Sequence, residues 1–128
     1  MKPNKVVIQS KNGTITKGQT SDFFPNKAKF HLTTLGGNIE EIKTEELKAV
    51  FFVKDCDGDK SYEYSYDDTI TGGGRKIKIN FADGEEIIGY TQGYSPNRPG
   101  FFIIPADLKG NNEKIFVIKS ATKKVQFL

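Results

Sequence analysis

The chain is poor in the residues that carry covalent and metal chemistry. Among its 128 residues are one cysteine, Cys56, one histidine, His31, and no tryptophan. A single cysteine excludes an intramolecular disulfide framework and a zinc site built from several thiolates. No apolar run approaches the about 20 residues that a membrane-spanning helix needs. The N-terminal residues lead into a strand pattern rather than an apolar signal core, so we expect a soluble, cytoplasmic protein with no membrane partner.

Aromatic residues and glycine are plentiful, and charge is unevenly distributed. Ten phenylalanines, five tyrosines and thirteen glycines favour strands and turns over helices. The net charge is +3, but residues 1–54 and 71–128 each carry +4, whereas residues 55–70 carry −5. Solvated strand faces around a polar connector explain this pattern, and a basic surface for an anionic partner is the alternative.

The sequence contains an internal duplication. Lys5–Thr34 aligns without a gap on Lys76–Pro105 at a constant offset of 71, and after four extra residues Lys48–Val53 aligns on Lys123–Leu128. Each copy has the pattern of five short strands with one helical turn before the last. We predict an all-β fold of two SH3-like small barrel units packed about a pseudo-twofold axis. The predicted boundaries are 1–54, 55–74 and 75–128, and the two units could instead form one compact, strand-exchanged domain.

The acidic connector has a pattern of its own. Asp57-Gly58 is a hairpin signal, and Tyr62, Tyr64 and Tyr66 alternate with polar residues, which predicts an added strand with three rings on one face. These rings either cap the barrels or form an exposed aromatic platform. The glycines at 72–74 predict a flexible joint into the second copy.

No catalytic or metal-binding constellation is evident. The Asp55–Asp59 stretch lacks the glycine and the glutamate that an EF-hand loop requires, although its aspartates could form a weak, incidental cation site. The glycines before Arg75 lead into a strand, not into the helix terminus that a phosphate loop requires. A nucleophilic pair of His31 and Cys56 has no evident orienting group. We predict that the chain is not an enzyme and has no metal site and no cofactor.

The two copies differ most between Gly89 and Asn112. Prolines 96 and 99 fix the backbone of this loop, so it is stiff rather than floppy. A stiff loop with exposed polar and aromatic side chains is typical of a recognition surface, and a structural corner is the alternative. The predicted partner-binding residues are Tyr94, Asn97, Arg98, Phe102, Asn111 and Asn112.

The same region carries a family resemblance. The stretches Asp83-Gly84-Glu85, Gly100-Phe101-Phe102, Pro105-Ala106-Asp107 and Asn111-Asn112, with the upstream Leu47–Val53, resemble an uncharacterised bacterial family of small all-β domains. Such domains occur alone or beside signalling modules such as PilZ domains, which implies a regulatory or adaptor role. The motifs with which PilZ domains bind cyclic di-GMP are not found in this sequence, so that ligand is not expected.

These patterns predict a non-enzymatic binding module with an unknown protein partner, and the resemblance implies that it is bacterial and has an adaptor role. The alternative is a small-barrel protein that binds single-stranded nucleic acid through basic strands, among them Lys76, Lys78, Lys123 and Lys124. A third hypothesis is a structural domain that self-associates through the tyrosine strand or an open sheet edge. The sequence does not determine the oligomeric state.

Overall fold

The computed structural model of this chain is an all-β structure with two short 3₁₀ helices. It describes residues 3–56, 62–63, 65, 67–70, 72, 74–95, 97–107 and 109–128. A 3₁₀ helix precedes the last strand of each half, at Thr44–Glu46 and Lys119–Ala121. The strands are β1 (Asn4–Ser10), β2 (Ile15–Thr20), β3 (Lys29–Thr34), β4 (Ile39–Lys43), β5 (Leu47–Val53), β6 (Arg75–Phe81), β7 (Glu86–Thr91), β8 (Gly100–Pro105), β9 (Asn112–Ile118) and β10 (Thr122–Phe127). The all-β prediction is confirmed.

The ten strands form one open antiparallel sheet, in the order β10-β6-β7-β8-β9-β5-β1-β2-β3-β4. To close as a barrel, the first half would have to bring its outer strands, β5 and β4, together. Instead, β5 pairs with β9 of the second half, with Ala49 opposite Val117 and Phe51 opposite Ile115. Among the described residues, β4 and β10 each pair on one side only. The prediction of closed SH3-like barrels is therefore wrong.

The two halves are joined head to tail. Within the sheet, the first half runs β5-β1-β2-β3-β4 and the second runs β10-β6-β7-β8-β9, so corresponding strands occupy corresponding places. A twofold axis exchanging the halves would convert the β5–β9 contact into a β10–β4 contact. Those two strands lie at opposite ends of the sheet. The predicted pseudo-twofold packing is thus also wrong, since a heterologous contact replaces it.

Strand β5 and residues 115–118 of β9, at the centre of the sheet, are buried on both faces. All seven residues of β5 are buried. Because successive strand residues point to opposite faces, Ala49, Phe51 and Val53 enter the core of the second half, with Ile77 and Ile79. Val50 and Phe52 enter the core of the first half. Each half therefore packs over a different face of the central pair, and a junction between the halves remains open to solvent beside it.

The connector is held against the second half by Asp107. The Tyr62 hydroxyl donates to Asp107 Oδ1 at 2.7 Å, and the Ser65 amide donates to Oδ2 at 3.0 Å. None of the described connector residues belongs to a strand. Asp57, Gly58, Tyr64 and Tyr66, on which the predicted hairpin and tyrosine face depend, lie outside the described residues. Within the described part of the chain, no helix is long and apolar enough to span a membrane.

Candidate functional site

A groove of about 880 Å³ lies at the junction between the two halves. One wall is formed by β7, β8 and β9 of the second half, and the other by the loop between β2 and β3 of the first half. Its volume falls within the range of ordinary ligand sites. The lining residues are Pro25, Asn26, Tyr90, Gln92, Gly93, Arg98, Pro99, Gly100, Phe101, Phe102, Ile103, Ile104, Lys114 and Phe116.

The floor of the groove rests on a cluster of aromatic rings contributed by both halves. Phe102 and Phe116 meet edge to face at 4.9 Å between ring centroids, and Phe23 meets Phe116 at 5.2 Å. Phe52 lies 5.9 Å from Phe102. Phe116 is almost fully buried, whereas Phe102 is partly exposed in the groove. Interlocked rings leave few alternative rotamers, so this apolar floor is closely packed.

The charges at the groove are positive. Among the described lining residues, the charged ones are Arg98 and Lys114, and both are exposed. Lys114 Nζ lies over two rings, 4.8 Å from the centroid of Phe52 and 5.0 Å from that of Phe102. Neither cation forms an ion pair with a described residue. The groove therefore suits a ligand that combines apolar groups with negative charge.

A second depression extends the groove toward the N-terminal strand. It has a volume of about 360 Å³ and shares Ile104 and Lys114 with the groove. Lys5 adds a further positive charge there, and Glu113 adds a negative one. The combined surface crosses β8, β9, β5 and β1, so it is long enough for an extended chain rather than for one compact group. We call this combined surface the junction groove.

The structure places two of the six predicted partner-binding residues in the junction groove, Arg98 and Phe102. Tyr94 instead packs edge to face on Phe101 and Phe127, at 4.9 and 5.5 Å, beside the core of the second half. Asn97 is exposed in a turn, where its amide donates to Ser95 Oγ at 3.4 Å. Whether any of these residues contacts a partner remains a prediction.

The two predicted asparagines have structural roles. Asn111 Nδ2 donates to the Asp55 carbonyl at 2.7 Å, and Asn111 Oδ1 accepts from the Asp55 amide at 3.0 Å. This paired contact ties the chain after β5 to the turn before β9. Asn112 begins β9, opposite Val53. At this end of the loop, the contacts are those of a structural corner, which was the alternative to a recognition surface.

Sequence reasoning missed the function of Asp107 as an anchor. Its carboxylate is buried and, besides Tyr62 and Ser65, accepts from the backbone amide of Lys109 at 3.2 Å. Desolvation disfavours the charged form, but these hydrogen bonds outweigh it and lower the pKa of Asp107. At the offset of 71, the first copy has Gly36 at this position. The sequence does contain a signal for this role, because the carboxylate occurs in the second copy only. The second copy is also the one against which the connector packs.

His31 and Cys56 have separate partners. His31 Nδ1 lies 2.7 Å from Asp22 Oδ2, and the Cys56 thiol donates to the Gly18 carbonyl at 3.6 Å. Desolvation opposes ionisation of Asp22, but hydrogen bonds from His31 and Thr20 outweigh it and lower its pKa. The described residues include no group of three or more His, Cys, Asp or Glu side chains that could hold a metal ion. Asp57 and Asp59 of the incidental cation site lie outside the described residues.

The basic strands of the nucleic-acid hypothesis lie on another surface. Lys78 pairs with Gln126 across β6 and β10, and its Nζ is 3.5 Å from Glu86 Oε2. Lys123 and Lys124 are exposed on β10. The aromatic residue of β6, Phe81, points into the core beside Ile77 and Ile79. Strand β6 therefore presents no exposed aromatic ring for base stacking among its described residues.

Comparison with known proteins identifies the family. The chain belongs to a family of unknown function, DUF6982, whose model matches residues 2–128. Comparison with curated proteins and with solved structures found no match. The family match agrees with the resemblance to an uncharacterised family, and the bacterial origin and the association with PilZ domains remain predictions.

Proposed function

We propose that this chain is a non-enzymatic binding module whose junction groove takes an extended segment of a partner protein that carries both apolar and acidic side chains. One observation carries the proposal: an apolar aromatic floor is flanked by Arg98 and Lys114, neither of which has an ion-pair partner among the described residues. An acidic side chain placed there would gain a charge-assisted hydrogen bond, and its apolar neighbours would cover Phe102 and Ile104.

An extended peptide fits the shape of this surface better than a compact ligand does. The junction groove crosses four neighbouring strands, and its cations are spread along it, with Arg98 in the larger depression, Lys5 in the smaller one and Lys114 shared by both. Pro25 and Pro99 stand on its rim, where their fixed φ angles limit backbone motion. A preformed groove reduces the ordering that binding costs. The regulatory or adaptor role implied by the resemblance would follow from such binding.

We also infer that the groove arose from duplication of one five-stranded unit. Equivalent hydrogen bonds support this inference: Thr20 Oγ1 donates to the His31 carbonyl, and Thr91 Oγ1 donates to the Phe102 carbonyl, both at 2.8 Å. The Lys11 amide donates to the Glu46 carbonyl, as the Ala82 amide does to Ala121. One unit alone lacks the groove, because its two walls belong to different copies.

The test is an amide NMR titration of the ¹⁵N-labelled protein. The probes are eight-residue peptides with one glutamate flanked by leucine and phenylalanine, and the same peptides with glutamine in place of glutamate. We expect shifts at residues 98–104 and 114–116 with the acidic peptides, and binding weaker by about tenfold with the glutamine peptides. Arg98→Glu should weaken binding to the same degree. Lys109→Glu, which makes the same charge change at an exposed site outside the groove, is the matched control.

Mixed-sequence single-stranded RNA and DNA at two salt concentrations form the second arm. Shifts on β6 and β10 that fade with salt would favour the nucleic-acid hypothesis instead. If neither peptides nor oligonucleotides shift the groove residues, or if Lys109→Glu weakens binding as much as Arg98→Glu, the proposed site is wrong.

A further inference from the structure

The two ends of the sheet correspond to the two strands that meet at its centre. The alignment of the copies shows that β10 corresponds to β5. Strand β4 corresponds to β9, because each is followed directly by the 3₁₀ helix of its half, which matches Lys43 with Ile118. Within the chain, β5 pairs with β9 at the centre of the sheet. Their counterparts, β10 and β4, are left at the two outer edges. A heterologous contact of this kind uses different surfaces on its two sides, so it can be repeated by the next copy.

The two outer edges carry net charges of opposite sign. Glu40, Glu41 and Lys43 are exposed on β4, which gives −1, and Lys123 and Lys124 are exposed on β10, which gives +2. Glu41 already pairs with Lys29 at 3.2 Å, which leaves Glu40 as the acidic residue of this edge with no ion pair to a described residue. Charges on edge strands ordinarily keep sheets apart, but that protection fails between edges of opposite sign.

We propose that a second copy of this chain is the partner of these edges, with β10 of one copy pairing with β4 of the next in the register that β5 and β9 use internally. Transferring that register places Lys124 opposite Ile42 and Phe127 opposite Ile39. Lys124 then lies diagonal to Glu40, within reach of a cross-strand ion pair, whereas Lys123 lies opposite Lys43, which weakens the contact. Ile39, which is 72 % exposed in the single chain, gains an aromatic neighbour.

The proposed contact is weaker than the internal one. Within the chain, Lys48 of β5 is buried and forms ion pairs with Asp83 and Glu85 of the next hairpin. The corresponding hairpin positions facing a second copy are Asn12 and Thr14, which carry no charge. We therefore expect head-to-tail oligomers that form at high protein concentration and dissociate in salt, because their ion pairs are exposed.

Sedimentation velocity of the full chain tests this proposal. We expect monomer at about 10 µM and assemblies larger than dimers at about 500 µM in low salt, as weak, small interfaces give. Lys124→Glu and Glu40→Lys should each raise the apparent dissociation constant by about tenfold, because an attractive pair becomes a repulsive one. Mixing the two variants in equal amounts should restore assembly, since every contact between unlike copies is then complementary. The double variant should also assemble.

Lys109→Glu provides a control for net charge alone, and circular dichroism checks that each variant is folded. The proposal is overturned if the wild-type chain stays monomeric at 500 µM, which would make the edge charges purely protective. It is equally overturned if the single variants assemble as the wild type does, or if mixing them restores nothing.

Discussion

Substitution of Gly89 by alanine should open the sheet between β7 and β8. A Cβ at Gly89 would lie 2.5 Å from the Ile104 carbonyl oxygen, and one at Gly18, the corresponding position of the first half, would lie 2.2 Å from the Thr33 carbonyl oxygen. Both obstacles are backbone atoms of a paired strand, so no side-chain rotation relieves the clash. An ordinary contact starts at 3.4 Å, so the strands would have to separate by about 0.9 Å at Gly89 and about 1.2 Å at Gly18.

The expected loss of stability depends on the short pairing between β7 and β8. Their ladder has two residue pairs, Gly89 with Pro105 and Tyr90 with Ile104, and Pro105 has no amide to donate. Overpacking costs about 1–3 kcal/mol, and the strained ladder hydrogen bond adds about 1 kcal/mol, so we expect a total of about 2–4 kcal/mol. For a chain of this size, that lowers the melting temperature by about 8–16 °C.

Urea unfolding followed by circular dichroism measures this loss. Gly18→Ala should cost at least as much as Gly89→Ala, and the two should add, because they lie in different halves. Gly93→Ala is the matched control, since its Cβ would meet nothing within 4 Å; it should change stability by less than about 0.5 kcal/mol. Equal losses for Gly93→Ala and Gly89→Ala, or no loss for Gly89→Ala, would refute the close approach of these strands.

Two further predictions concern buried charges. Lys48→Met keeps the packing against Phe81 but removes the ion pairs with Asp83 and Glu85. It should lower the free energy of unfolding by about 1–2 kcal/mol in urea at pH 7, because both carboxylates are half exposed and rehydrate; the absence of any loss would contradict this. Because the pKa of Asp107 is lowered on folding, its stabilisation is complete above the unfolded value of about 3.9 and is lost as pH falls through the folded value. Asp107→Asn should therefore lower the free energy of unfolding by about 1–3 kcal/mol at pH 7, and by progressively less toward pH 2. If the difference in unfolding free energy between the variant and the wild type is the same at every pH, the charge of Asp107 is not what holds the connector.

The local elements were predictable, because each is encoded in a short stretch. Alternation of Ile77, Ile79 and Phe81 with polar residues predicted β6, and Asp83-Gly84 predicted the turn after it, where Gly84 has a φ of +96°. The helical turn predicted before the last strand of each copy is the 3₁₀ helix Thr44–Glu46 in the first half. What these patterns do not encode is which strands meet across long sequence separations, and the barrel and twofold predictions failed at that step.

The candidate site was predictable only in part, for a similar reason. The stiff loop drew attention to Arg98 and Phe102, which line the junction groove. Lys114 and Pro25 were missed, because they come from β9 and from the other half, and only the head-to-tail contact brings them to the same place. The bidentate contact of Asn111 with the backbone of Asp55 was also missed, because such a contact leaves no mark in the local pattern.

The differences between the copies nevertheless contain the information that the alignment alone hides. A strand buried on both faces is apolar throughout, whereas an edge strand alternates. Ile115-Phe116-Val117-Ile118 of β9 is unbroken, but the corresponding stretch of β4, Glu40-Glu41-Ile42-Lys43, has one apolar residue. Ala49–Val53 of β5 is also unbroken, but β10 has Lys124 and Gln126 at the matching places. In each pair of corresponding strands, the strand with the continuous apolar stretch lies at the centre of the sheet. The strand whose apolar stretch is interrupted by polar residues lies at an edge. A twofold arrangement would bury both members of a pair or neither, so the unequal polarity of equivalent strands is itself the mark of a head-to-tail sheet.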